Sequence, residues 1–193
     1  MTDYDRLTDK IQTVPDVIAA TPFVFRQVLL TAQSGVQGII LRGIDPKREA
    51  NVTELAKNIT AGQLLDLLTP VKVMQAPDDN PQGDLRAVEK PGIILGKELA
   101  LRLGVFVGDT VNVVSPVGPI SAMGMVPKIR TFAVVALFHS GMFEYDSSFA
   151  YIELGEAQKF FNLGTSVTGI EVKVTDVFRA AEFAHTIEQE LGF

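Results

Sequence analysis

The chain has 193 residues, 47% of them hydrophobic, and a formal net charge of −6. This length and apolar content suffice for one large domain or two small ones with a buried core. The acidic balance argues against nucleic acid as a partner, because phosphate binding needs clustered Lys and Arg. The absence of Cys excludes disulfides, thiolate metal sites and a Cys nucleophile. With no apolar run of 18 residues and a polar start, we expect the chain as given to be a soluble fragment.

The N-terminal part of the chain is predicted to place a helix before a hairpin. Apolar residues at helical spacing predict a helix over residues 4–20, ended or kinked by Pro15. Residues 23–31 and 38–42 have the composition of strands, and the segment 32–35 between them contains Gly, as hairpin turns do.

The remaining predicted elements mix helices and strands without regular β-α-β repeats. They begin with a helix over 51–68 (cap Thr53, break at Gly62), a polar surface loop at 75–91, a buried strand at 93–95, a helix at 96–103 closed by Gly104, and a turn at Gly108-Asp109. They continue with strands at 111–114 and 130–137, a loop at 139–146, a strand at 148–152, a helix at 153–161, a strand at 168–174 and a last helix capped by Asp176. This mixture predicts an α+β fold with mixed sheets.

The most informative segment is the connection between the strands at 111–114 and 130–137. Residues 116–127 consist mainly of Pro, Gly, Met and aliphatic side chains, and none of them is ionisable. Hairpin connections are usually short and polar. This segment must therefore either fold back onto a core or meet a partner. Residues 111–138 also contain Lys128 and Arg130 but no Asp or Glu, so the hairpin is mildly basic on an acidic protein.

Three patterns could suggest chemistry, and none of them predicts an enzyme. His139 lies near Ser140 and Asp146, but a Ser-His-Asp site needs an oriented base and an oxyanion hole. The segment 104–109 lacks the spacing of phosphate-binding loops and leads into a strand. The one metal-like pattern has an EF-hand count, with Pro where the flanking helices should be; it consists of Asp78, Asn80, Gln82, Gly83 and Glu89. We therefore predict no catalytic residue, no cofactor and no metal.

Five short motifs carry a family resemblance. They are Arg-Gly-Ile-Asp-Pro at 42–46, Pro-Gly-Ile-Ile-Leu-Gly-Lys-Glu-Leu-Ala at 91–100, Leu-Gly followed by Gly-Asp at 103–109, Met-Gly followed by Pro at 123–127, and Gly-Met-Phe-Glu-Tyr-Asp at 141–146. In this order and spacing, the chain from Arg42 onward resembles the periplasmic domain of the lipoprotein-releasing system permeases. These form the LolC/LolE family within the MacB-like ABC transporter superfamily.

The resemblance implies a two-lobed α+β domain. A porter-like lobe would comprise residues 1–45 and 140–193, and a β-rich middle lobe, residues 46–139, would bear a protruding hairpin. The domain would be non-catalytic and lie at the periplasmic face of the bacterial inner membrane, between the first two of four membrane helices. Cytoplasmic ATPase subunits and a second permease arm would complete a transporter that extracts lipoproteins and passes them to a soluble LolA-like periplasmic chaperone.

The resemblance also assigns the partner site, because in the LolC-type arm a hairpin loop grips the chaperone and residues 116–127 match that loop. The implied partner-binding residues are Pro116, Val117, Pro119, Ile120, Met123, Gly124, Met125, Val126, Pro127, Lys128 and Arg130. Asn112 and Ile129 depart from the polar or basic groups that flank this loop in LolC-type proteins, and Ala122 stands where Pro is common.

Three alternatives stay open. The loop could pack onto its own lobe, the permease could be of the MacB or FtsX kind and bind an adaptor or regulator, or the chain could be a free-standing ligand-binding or enzyme domain.

Overall fold

The computed structural model describes residues 3–75, 84–116, 120–121 and 124–191. The helices are α1 Tyr4–Gln12, α2 Pro46–Val52, α3 Leu55–Asn58, α4 Lys97–Leu103, α5 Phe143–Ser148, α6 Leu154–Phe161 and α7 Ala180–Leu191, with 3₁₀ turns at Leu64–Leu68 and Val177–Arg179. The strands are β1 Val17–Ala32, β2 Gly35–Ile44, β3 Ile59–Ala61, β4 Val71–Gln75, β5 Arg86–Lys90, β6 Gly92–Gly96, β7 Thr110–Ser115, β8 Ile120–Ser121, β9 Gly124–Met125, β10 Lys128–Phe138, β11 Phe149–Glu153 and β12 Gly169–Val174.

Six strands pair into a closed ring. Going round it, β1 pairs with β2, β2 with β11, β11 with β6, β6 with β10, β10 with β7, and β7 again with β1. The pairs β2–β11 and β6–β10 are parallel and the other four are antiparallel. Outside the ring, β12 joins β1 and β3 joins β10, while β4–β5 and β8–β9 form separate two-stranded sheets.

The core fills this ring because strands expose alternate side chains to opposite faces. Ile39 and Leu41 of β2 and Val111 and Val113 of β7 are buried at every second position. Apolar residues of α4 and α6 complete the same cluster; they are Leu99, Ala100, Leu103, Leu154, Ala157 and Phe160. A second cluster covers the outside of β6, β10 and β11; it includes Leu55, Leu64, Leu67, Ile94, Phe138 and Tyr151.

Most of the predicted elements are confirmed, and the α+β class is confirmed with them. The hairpin β1–β2, the buried strand β6, the hairpin strands β7 and β10, the helix α6 and the strands β11 and β12 all lie where the patterns place them. Gly104 ends α4 with φ of 64°, a left-handed conformation that Gly adopts without strain. The side chain of Asp176 accepts a hydrogen bond from the Phe178 amide and so caps the final helical segment, as predicted.

Four predictions of secondary structure were wrong in part. The first helix ends at Gln12, because residues from Val17 onward pair with β12. The segment 51–68 is not one helix but the end of α2, then α3, β3 and a 3₁₀ turn. Thr53 follows the last residue of α2, and its hydroxyl accepts a hydrogen bond from the Leu55 amide at the start of α3. Residues 86–90 form a strand paired with β4 instead of a loop, and residues 143–148 form α5.

The division into two lobes stays a prediction. Strands from both predicted lobes lie in the same sheet, since β1 pairs with β7 and β11 pairs with β6. Any lobe boundary therefore runs through a continuous hydrogen-bonded sheet rather than through a linker.

Candidate partner-binding hairpin

The predicted hairpin exists as an antiparallel ladder between β7 and β10. It runs from the pair Thr110–Ala133 to the pair Ser115–Lys128. Beyond it, a second short ladder, β8–β9, pairs Ile120 with Met125 and Ser121 with Gly124, and it pairs with no other strand of the described chain.

Five of the predicted site residues have described side chains. We call Pro116, Val126 and Pro127 the neck of the hairpin; all three are exposed, Val126 to 48%. Lys128 and Arg130 follow the neck on β10. Val117, Pro119 and Met123 lie outside the described residues, and for Ile120, Gly124 and Met125 the structure describes the backbone only. The neck therefore presents apolar and Pro side chains to solvent.

The base of the hairpin is held on both sides. Besides its ladder with β10, β7 pairs with β1 through Asn112, Val113 and Val114. Asn112 also stands opposite Thr131, whose hydroxyl donates to the Asn112 side-chain oxygen over 2.7 Å. The side-chain oxygen of Asn112 is thus engaged in a hydrogen bond within the sheet. The first strand of the hairpin, β7, is itself a strand of the ring.

The two cations at the base contact α6. The Lys128 ammonium donates to the Lys159 carbonyl over 3.2 Å and to the Asn162 side chain over 2.9 Å. Arg130 forms an ion pair with Glu156, to which Lys159 also binds over 2.9 Å. Two cations, Arg130 and Lys159, therefore bind one carboxylate, and Lys128 of β10 contacts α6 beside them. The base of the hairpin keeps a positive balance, but these charges are also committed to holding the hairpin against α6.

A surface feature that the sequence reasoning missed adjoins the neck. A groove of about 530 Å³ lies on the outer face of β1 and β2; its lining includes Gln27, Leu29, Gly38, Ile40, Pro116 and Ser148. Leu29 stands in register with Val114, which stands opposite Ile129, and Leu29 and Ile129 are 43% and 63% exposed. The sequence does contain a signal for this groove. Leu29 is an apolar residue at an outward-facing position of β1, where strand alternation predicts a polar side chain.

The histidine cluster does not form a nucleophilic site. Asp146 is buried and accepts hydrogen bonds from the Ser140 hydroxyl over 2.8 Å and from His139 Nδ1 over 2.6 Å. Burial would raise the pKa of Asp146, but the hydrogen bonds from Ser140 and His139 outweigh it and hold the pKa below its ordinary value. The hydroxyl of Ser140 thus faces the carboxylate instead of the imidazole base that a nucleophile needs. The cluster joins the end of β10 to α5.

The other two chemical patterns have structural roles or lie outside the description. Asp109 accepts a hydrogen bond from the Phe106 amide over 2.8 Å and so closes the turn after α4. Four EF-hand-like positions fall within 76–83, outside the described residues, and Glu89 lies on β5. Within the described ranges, no three His, Asp or Glu side chains are grouped to hold a metal ion. No helix in the same ranges is long and apolar enough to cross a membrane.

The fold is similar to those of the extracellular or periplasmic domains of two transporter proteins. One solved example is the extracellular domain of the noncanonic ABC-type transporter YknZ from Gram-positive bacteria, with a TM-score of 0.57 and 15% identity over 100% of this chain and 84% of that one. Another is the periplasmic region of MacB from Actinobacillus actinomycetemcomitans, with a TM-score of 0.55 and 17% identity over 97% of this chain and 72% of that one.

The chain belongs to the MacB-like periplasmic core domain family, whose model matches residues 1–190. It is 31% identical over 192 residues to the lipoprotein-releasing system transmembrane protein LolC of Neisseria meningitidis, and 30% identical over 195 residues to LolC of Xylella fastidiosa. These alignments cover 98% and 100% of the chain but 41% of each relative's length. The resemblance to the LolC/LolE permeases within the MacB-like superfamily is therefore confirmed, and the family to which the chain belongs is that of the MacB-like periplasmic core domain.

Proposed function

We propose that this chain is the non-catalytic periplasmic domain of an ABC permease that extracts lipoproteins from the inner membrane, and that residues 116–127 dock a soluble, LolA-like lipoprotein chaperone. The observation that carries the proposal is an uncharged, Pro- and Met-rich segment set on a base that is paired on both sides. The whole transporter would add membrane helices, cytoplasmic ATPase subunits and a second permease arm.

The composition of residues 116–127, which we call the tip of the hairpin, suits a brief contact with an apolar groove. Pro116, Pro119 and Pro127 restrict the free segment, which lowers the ordering cost of binding. Met123 and Met125 adapt to irregular apolar surface because the thioether chain is flexible. Burial of about 300 Å² of apolar surface at about 25 cal/mol/Å² contributes roughly 8 kcal/mol before association costs. The free energy that is left after the association costs suits a weak, reversible complex, and transfer of a lipoprotein requires such a complex.

The base supports the same proposal by its charge and its geometry. Lys128, Arg130 and Lys159 outnumber the single Glu156 among them, so an acidic rim on the chaperone would be attracted to the base of the hairpin. The exposed side chains of Leu29 and Ile129 extend an apolar surface from the neck onto the ring. A partner that grips the tip would therefore meet a complementary surface beneath it.

The fold similarity to MacB favours one competing function, in which the domain binds a periplasmic adaptor or regulator. Titration of the chain with a labelled LolA-like chaperone, and in parallel with a periplasmic adaptor protein, separates the two. The proposal expects saturable, micromolar binding of the chaperone and none of the adaptor. Binding of the adaptor alone would replace the proposed function with its competitor.

A further inference from the structure

A second charged cluster lies away from the hairpin, where α2 and β12 meet the outer side of the sheet. Arg42 of β2 binds Glu171 of β12, with Nη2 and Oε2 2.5 Å apart. Glu49 of α2 is wholly buried beside them. Its Oε1 accepts a hydrogen bond from the Thr53 hydroxyl over 3.1 Å, while its Oε2 has no hydrogen-bond partner among the described residues. Two carboxylates therefore lie near one guanidinium, and the more exposed of them holds it.

This arrangement leaves Glu49 poorly compensated when it is ionised. A buried carboxylate without an ion pair is costly, so the neutral acid is favoured there. Burial is the main cause that raises the pKa of Glu49 to about 7; Arg42 opposes the rise and Glu171 adds to it. Glu49 thus changes charge close to neutral pH, where an ordinary Glu is fully ionised.

A cleft beside the cluster leaves room for the Arg42 guanidinium to move. It measures about 220 Å³; its walls include Arg42, Glu49, Glu54, Tyr145, Tyr151 and Glu171. The Glu171 side chain is 37% exposed, so water reaches the ion pair. A small shift of the Arg42 side chain within this cleft would bring its charge nearer to Glu49 and farther from Glu171.

The ion pair matters because β12 is an edge strand. In the described chain β12 pairs with β1 alone, and the bond from Arg42 ties it across β1 to β2. The segment after β12 leads through the 3₁₀ turn into α7, which packs against α1. Loss of the Arg42–Glu171 bond would therefore loosen the terminal unit of β12 and α7 and leave the ring intact.

We propose that Glu49 and Arg42 form a proton-operated latch on β12. When Glu49 is neutral, Arg42 serves Glu171 alone and β12 is held firmly. When Glu49 loses its proton, Arg42 is drawn toward it, the bond to Glu171 weakens, and β12 with α7 gains freedom. The latch is independent of the proposed docking function, since it involves no residue of the hairpin.

Most of the other charged groups near α2 have partners of their own. Asp45 caps α2 and its carboxylate lies 3.6 Å from Arg48, which also pairs with Asp5 of α1 over 3.0 Å. The remaining ionisable groups on the elements around α2 are Glu54, paired with Lys57 over 2.7 Å; Asp66, which accepts from the Gln63 amide; Tyr151, whose pKa is raised by burial; Lys173 of β12; and the exposed Arg26 of β1. Among the groups that shift the pKa of Glu49, Arg42 is the one cation, and Asp45 adds a small rise beside that from Glu171.

The test is a carboxyl-detected NMR titration of the ¹³C-Glu-labelled chain from pH 5 to 8.5, with amide exchange of residues 169–174 measured alongside. The latch predicts that Glu49 titrates with a midpoint near 7 and that the Glu171 carboxyl shifts with the same midpoint. Protection factors of the β12 amides should fall several-fold above that midpoint.

Two variants sharpen the test. Glu49→Gln should abolish both responses near pH 7, and Glu54→Gln, on the same cleft, should leave them unchanged. The proposal fails if Glu49 titrates near its ordinary value, or if it titrates near 7 while Glu171 and β12 do not respond. The wild-type titration alone decides these outcomes, so the test stands even if Glu49→Gln does not fold.

Discussion

The hairpins β4–β5 and β7–β10 are built from similar ladders but differ in their support and in their tips. The strands β4 and β5 pair only with each other in the described chain, whereas β7 also pairs with β1 and β10 also pairs with β6 and β3. The sequence between β4 and β5 is rich in Asp, Asn and Pro, whereas that between β7 and β10 has no ionisable residue.

The difference in support bears on the docking role that we propose for the β7–β10 hairpin. A two-stranded sheet alone is marginal in water, so an apolar tip on β4–β5 would have no fixed position. The β7–β10 ladder grows out of the ring, and its tip can therefore be presented in one orientation at low entropic cost. Apolar exposure alone does not distinguish them, since Met74 of β4 is itself 63% exposed.

The largest expected effect is a loss of chaperone binding that changes in the β7–β10 hairpin should cause and changes in the β4–β5 hairpin should not. Replacing Met123 and Met125 with Asp should weaken chaperone binding at least about 100-fold, or roughly 3 kcal/mol, because two charges would have to enter an apolar groove. Met74→Asp on β4 is the matched control and should leave the affinity unchanged. Titration calorimetry measures both. A large drop in melting temperature for the double variant would show instead that the tip packs on its own lobe.

The next effect is a pH dependence of the stability that comes from the body of the fold and not from the hairpin. Because the pKa of Glu49 is raised from 4.5 to about 7, the folded chain holds this proton more tightly than the unfolded chain does. The contribution of Glu49 to the free energy of unfolding is therefore complete below pH 4.5. As the pH rises through 7, this contribution of about 3 kcal/mol is lost. Urea unfolding across this range measures the slope.

Glu49→Gln should flatten that slope, while Met123→Asp with Met125→Asp should leave it unchanged. An equal slope in the wild type and in Glu49→Gln would assign the pH dependence to another group.

A third measurement compares how the two hairpins are supported. Val113 of β7 is fully buried in the ring, so Val113→Ala should lower the free energy of unfolding by about 2 kcal/mol. Val88 of β5 is 38% exposed, and Val88→Ala should cost less than about 0.5 kcal/mol. Comparable losses in the two variants would contradict the difference in support.

The smallest effect concerns charge at the base. Arg130→Gln removes the ion pair with Glu156 and one positive charge, and should weaken chaperone binding about three- to fivefold, mainly through slower association. Arg86→Gln on β5 also removes one positive charge and should leave chaperone binding unchanged. Stopped-flow association at two salt concentrations distinguishes them, and a salt-independent loss would argue against electrostatic steering.

The sequence predicts the β7–β10 hairpin well because both strands are rich in β-branched residues and their connection is unusual. It fails at residues 86–90, where Arg-Ala-Val-Glu-Lys has no apolar face and becomes a strand only by pairing with β4. It fails at residues 17–20 because helical spacing there yields to pairing with β12.

Two features of the candidate regions could not be read from the sequence at all. Closure of the ring depends on β1 meeting β7, two segments about 80 residues apart with no local pattern that links them. The environment of Glu49 depends on Arg42 and on Glu171 at the other end of the chain. Residues 116–127, by contrast, could be proposed as a site from the sequence alone, because their composition is anomalous over a short span. Contacts between distant segments, rather than local propensity, decided the rest.

The continuity of β10 has a mechanical consequence. Its 11 residues span about 36 Å as an extended strand, from the neck of the hairpin to Phe138 beside β3 and α5. The strand pairs with β7 at its first half and with β6 at its second, so one continuous segment joins the neck to the opposite side of the ring. In the proposed docking function, β10 would therefore couple a movement of the ring at that end to the base of the docking hairpin.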